Sequence, residues 1–138
     1  MIFTNINILA VIVSTIAYYV LGGLWYSPFL FGKYWDKAIG FKRPKKWKSP
    51  ILFYIMPFIG CLVVSIAIAL TMQLVHFASV QNAIVFGIIL GVGFSVSTSM
   101  VNAVTPKMEK PFMYGLVTGV YHLVGVVMVI IINYAWKY

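Results

Sequence analysis

The sequence predicts an all-α polytopic membrane protein, a bundle of four transmembrane helices with a short amphipathic helix at the interface between the first two. Three observations carry this expectation. Hydrophobic residues make up 62% of the 138-residue chain and charged residues only 9%, with a mean hydropathy of +0.99, whereas soluble domains carry about 25% charged residues. Four apolar stretches each reach the roughly twenty residues needed to cross a hydrocarbon core about 30 Å thick. The ten Lys and Arg residues are concentrated, with Lys33, Lys37, Lys42, Arg43, Lys45, Lys46 and Lys48 in one loop. One integral membrane domain then fills residues 1–138, with spans at about 6–26, 51–75, 82–104 and 112–136.

The first span carries Ser14, Thr15, Tyr18 and Tyr19 as polar insertions and closes on Trp25 and Tyr26, rings suited to the headgroup level. Pro28 stops it, because proline has no N–H to donate and restricts the residue before it. Trp25, Tyr26, Ser27, Pro28 and Trp35 are read as an interfacial elbow in which the Ser27 hydroxyl can satisfy a freed carbonyl. Phe31, Tyr34, Trp35, Ala38 and Ile39 then fall at i, i+3, i+4, i+7 and i+8, the pattern of an amphipathic helix lying in the interface. After Gly40 comes a polybasic run, Lys42, Arg43, Lys45, Lys46 and Lys48. Beside an anionic leaflet each cation adds about 1 kcal/mol of attraction, so anionic lipid is the expected partner. Basic residues gathered in one juxtamembrane loop do not form the face of a nucleic-acid module.

The second span can kink at Pro57 and Gly60. The turn after it, His76 to Gln81, is short enough to force an antiparallel hairpin. In the third span Gly87, Gly91, Ser95 and Ser99 recur every fourth position, a small-residue stripe that admits close helix packing. This span is the expected packing centre, and the stripe predicts homo-oligomerisation. The fourth span follows a loop carrying Lys107, Glu109 and Lys110, and Gly115 and Gly119 on it are further packing glycines. Both basic loops belong on the cytoplasmic side, which puts both termini outside, Lys137 being outvoted. A cleaved leader is not expected, since MIFTNINIL has no basic n-region and no A-x-A site follows.

Counting by helical rise from the cytoplasmic ends puts Tyr18, Cys61, Ser95 and His122 near one mid-membrane layer. His122 is the ligand or proton candidate, because an ionisable side chain inside a span is costly. With no carboxylate in any span it lacks a counter-ion, and desolvation favours the neutral ring. The first reading is a structural imidazole bonded to Tyr18, Ser95 or Ser99; the functional one is a proton or ligand role, and a headgroup or small-ligand pocket is expected between the elbow and the Asn102 end of the third span. His76 lies about 21 Å of rise from His122, which excludes a shared haem iron within one subunit. One Cys and one His without a third ligand make no metal site, so no metal and no cofactor is expected. Asp36 and Glu109 both lie in loops. No acid, base and nucleophile converge, which argues against an enzyme.

The string Gly22–Trp35, with W-Y-S-P-x-x-F-G at its heart, resembles the domain-of-unknown-function 1761 family of small bacterial membrane proteins. Asn102 ending the third span, and Tyr121 and His122 in the fourth, match that family's second half. The resemblance implies four spans in a bacterial inner membrane and an uncharacterised activity. From the residues themselves the favoured function is a homo-oligomeric transporter or channel for a small solute or ion; the alternative is a non-catalytic lipid-interacting or accessory protein.

Overall fold

A computed structural model describes residues 6–137. The first five residues, which the leader argument used, and Tyr138 lie outside the described residues, as does the side chain of Lys137. The described chain is helical without strands: α1 Ile8–Trp25, α2 Gly32–Ala38, α3 Leu52–Leu74, α4 Val80–Leu90, a π-helical turn Gly91–Val96, α5 Ser97–Ala103 and α6 Pro111–Lys137. α4, the π turn and α5 form one continuous rod, and with α1, α3 and α6 it gives four helices long and apolar enough to cross a bilayer.

Local chemistry sets the helix ends. Asn7 caps α1 by accepting from the Ala10 amide at 3.1 Å. Ser79 caps α4 by accepting from the Asn82 amide at 3.3 Å, so the third helix starts at Val80 rather than Asn82, a signature of Ser at the N-cap. Pro111 opens α6, where its missing N–H costs nothing. α2 is the interfacial helix expected from the sequence, but it is seated inward: Gly32 and Ala38 are buried and α2 packs on α6.

The packing centre is α6 rather than the third span. α6 touches α1, α2, α3, α4, the π turn and α5, and 44% of its span is buried against 17% for the third. The small-residue stripe is also not continuous. A Cβ on Gly87 would meet Val127 and Ile130, and one on Gly91 would meet Leu123, so these two glycines seat α6. One turn on, the residues facing α6 are Val96 against Gly119 and Met100 against Gly115. The step from Gly91 to Val96 is five residues instead of four, because the π turn spends an extra residue on its i→i+5 bonds. Ser95 and Ser99 are thereby rotated off the α6 seat. With Gly87 and Gly91 used inside one copy, the stripe no longer argues for self-association.

The two basic loops close over the same end of the bundle. The Lys110 amide donates to the Ala38 carbonyl at 3.0 Å. Gly40 turns with φ +70°, where a Cβ would meet Glu109 at 2.6 Å. Arg43 forms a two-pronged pair with Asp36, at 3.0 Å from Nε and 2.8 Å from Nη2, and lies over the Trp47 ring.

Candidate functional site

The elbow forms where α1 ends. Ser27 Oγ donates to the Leu24 carbonyl at 2.6 Å, and the amides of Phe31 and Gly32 return to the carbonyls of Trp25 and Ser27 at 2.9 and 3.0 Å. Gly32 fits because any Cβ there would run into the backbone of Tyr26 and Ser27. Trp25 turns toward α6: its indole Nε1 donates to the Val117 carbonyl at 3.0 Å and its ring stacks near Phe31 and Tyr121. The elbow is thus tied into α6.

Halfway along α1 and α6, two tyrosines are exchanged between glycines. The Tyr18 ring, 1% exposed, lies where a Cβ on Gly125 would be. The Tyr121 hydroxyl lies 2.7 Å from where a Cβ on Gly22 would be. Each glycine vacates the volume that the facing helix's ring needs. Around this pair the polar atoms converge. The Tyr18 hydroxyl and His122 Nδ1 share a hydrogen bond of 2.5 Å, with the hydroxyl as donor when the neutral ring carries its proton on Nε2. Tyr121 donates to the Tyr18 carbonyl at 3.5 Å, and Cys61 Sγ lies 3.7 Å from the Tyr121 hydroxyl. Three turns further along α6, Asn133 Nδ2 donates to Ser14 Oγ at 3.3 Å and to the Val129 carbonyl at 2.9 Å.

Among the mid-depth candidates, Tyr18 holds the His122 ring, whereas Ser95 and Ser99 do not bond to it. His122 stands between two clefts. One, about 710 Å³, opens sideways between α1 and α3 and is lined by Tyr19, Gly23, Tyr26, Phe53, Tyr54, Pro57 and Gly60, with Tyr18, Cys61, Tyr121 and His122 at its floor. It exists because α3 splays: every residue from Ile51 to Gly60 is exposed, whereas Cys61, Ser65, Ile68, Ala69 and Met72 are buried at helical spacing. Pro57 sits in the splayed half and cannot bond back to the Phe53 carbonyl. A second lobe of about 540 Å³ shares Tyr26, Phe53, Tyr54 and Pro57 and extends to Trp35, Arg43, Trp47 and Ser49. The other cleft, about 440 Å³, lies against the π turn and is lined by Phe94, Ser95, Thr98, Ser99, Asn102, Tyr114, Thr118 and His122.

Asn102 and the elbow therefore belong to different clefts, with Tyr114 and Thr118 lining both the hydroxyl cleft and the Arg43 lobe. The polybasic side chains are exposed, Arg43 being engaged by Asp36. Among the described residues no three His, Cys, Asp or Glu side chains lie together, so the cluster offers hydrogen bonds rather than a metal-ligand set. Sequence reasoning missed Asn133 and Thr118. Asn133 carried a signal, because it lies eleven residues from His122, a whole number of turns along the same face.

A sequence profile of the family described as Protein of unknown function (DUF1761) matches residues 9–134. No curated protein and no solved structure matches the chain.

Proposed function

Because the chain belongs to the DUF1761 family of proteins of unknown function, we propose its role from the site alone: it is a lipid-binding integral membrane protein that holds one anionic lipid between α1 and α3. The observation that carries this reading is the splaying of α3 at Pro57 and Gly60. It leaves two adjoining lobes that share Tyr26, Phe53, Tyr54 and Pro57, one reaching Tyr121 and the other Trp35, Arg43 and Trp47. Both lobes fall in the range of about 300–1,000 Å³ typical of small-molecule sites. An acyl chain suits the aromatic and aliphatic wall, and an anionic headgroup suits the loop end, where the cations gather. In this reading the basic loop faces the cytoplasmic leaflet.

Gly60 gives the test, since a Cβ there meets nothing within 4 Å and a side chain would grow into the groove. Gly60→Phe is expected to leave thermal stability unchanged while abolishing the preference for phosphatidylglycerol over phosphatidylcholine in native mass spectrometry. Equal retention of both lipids by the native chain would sink the proposal, as would unchanged retention in the variant.

The transporter or channel reading keeps one supporting observation: His122 stands where two clefts meet. It requires His122→Gln, which keeps a hydrogen-bonding side chain but cannot titrate, to abolish a pH-dependent flux in proteoliposomes. If His122→Gln is silent and His122→Leu unfolds the protein, the ring is structural.

A further inference from the structure

We propose that the cleft between the π turn and α6 is a water-filled entry from the basic-loop end that lets solvent exchange with His122. This goes beyond lipid binding: it shares His122, Tyr114 and Thr118 with the lobes of the lipid groove and adds the face of the π turn and α5. From the loop end inward the walls carry Asn102 and Tyr114, then Thr98, Ser99 and Thr118, then Ser95 and His122, so a hydrogen-bonding group is present at each level. The Thr118 hydroxyl, buried between this cleft and the Arg43 lobe, has the Tyr26 hydroxyl as its neighbour. At hydrocarbon depth lipid tails supply no partner for such groups, and irregular polar linings persist where they face protein or a wet cavity. A volume of about 440 Å³ is well above what a single water needs.

The π turn is what makes this lining. An unbroken α-helix would keep Ser95 and Ser99 in line with Gly87 and Gly91 against α6. The extra residue brings Val96 and Met100 to α6 instead and turns the two serines into the cleft. π turns inside α-helices recur at functional sites, and here the turn contributes Ser95, the hydroxyl level with the imidazole.

Water reaches one nitrogen of that ring. Nδ1 is occupied by the Tyr18 hydroxyl, which leaves Nε2 as the atom that exchanges. The groups near His122 are Tyr18 from α1, Cys61 from α3 and Tyr121 from α6, with Tyr114 and Tyr26 nearer the loop end; the π turn and α5 bring only neutral hydroxyls and an amide. Among the described residues no charged side chain lines either the lateral groove's floor or this cleft, so exchange proceeds through neutral donors and acceptors.

Two measurements test the entry. In a Cys61→Ser background, Ser95→Cys and Thr98→Cys are expected to react with a charged, membrane-impermeant methanethiosulfonate from the same side as the marker Lys45→Cys. The rate should be at least about tenfold above that of the lipid-facing control Ile89→Cys, because only the hydrated thiolate reacts. In the native chain in bilayers, solid-state NMR is expected to show magnetisation passing from water to the His122 ring nitrogens, as it does at the exposed loop residue His76. Thr98→Leu should remove the His122 signal and leave that of His76. Labelling at positions 95 and 98 no faster than at 89, together with a water signal confined to His76, would overturn the proposal. Labelling from the side opposite Lys45→Cys would overturn the loop-end entry.

Discussion

Replacing Gly125 with alanine is expected to be the most damaging single-methyl change in the membrane-spanning core. The added Cβ falls among the ring carbons of Tyr18. That ring is 1% exposed and is fixed by Tyr121 on one side and His122 on the other, so it has nowhere to go. Overpacking of this kind costs about 1–3 kcal/mol, and here it should reach the upper end, because moving the ring also breaks the bond to Nδ1. Gly22→Ala should cost less, since it meets the Tyr121 hydroxyl at 2.7 Å, the far end of a side chain. Gly93→Ala, with nothing within 4 Å, should be close to neutral. Thermal unfolding in mild detergent tests this order, and a Gly125→Ala variant as stable as Gly93→Ala would show that the ring is not confined as described.

The second large effect is expected at Gly32→Ala. Here the obstacle is backbone: a Cβ would lie on the Tyr26 carbonyl and 2.7 Å from the Ser27 carbonyl oxygen, so relief requires opening the elbow. The expected result is local. Amides of Gly32 and Trp35, bonded to the Ser27 and Phe31 carbonyls, should lose hydrogen-exchange protection by two orders of magnitude or more, equivalent to about 2.7 kcal/mol or above, while α3 and the π turn keep theirs. Unchanged protection at these amides would mean that the close approach is not rigid.

The spans were legible because apolar length is a property of composition, and the mid-depth meeting of Tyr18 with His122 followed from counting helical rise alone. What depth cannot give is azimuth. Ser95 and His122 share a level and a cleft, yet the bond to the imidazole comes from Tyr18, because the choice depends on which helix face turns inward. The π turn was invisible for a related reason: GVGFSV has no proline and no unusual pattern, and a four-residue repeat of small side chains reads as one straight face until a neighbour's register forces the slip. The tie of Trp25 to α6 was illegible for another reason. Its place at a helix end fits a headgroup ring, whereas its hydrogen bond to Val117 depends on a helix nearly a hundred residues later. The splaying of α3 was marked only by Pro57 and Gly60, which permit divergence without dictating its direction.

The seating of α1 and α2 on α6 fixes an order of birth. A ribosome delivers the first three hydrophobic segments before the fourth exists, so Tyr18 has no glycine to rest on, Trp25 has no Val117 carbonyl, and Ala38 has no Lys110 amide until the fourth is made. Contacts between such distant segments form late and slowly. During that interval the early helices have only each other, α1 against α3, with the elbow loose and Tyr18 without its seat on α6. Arrival of the fourth helix then supplies the seats of the core, the elbow and the loop cap together, which makes that helix the element on which maturation waits.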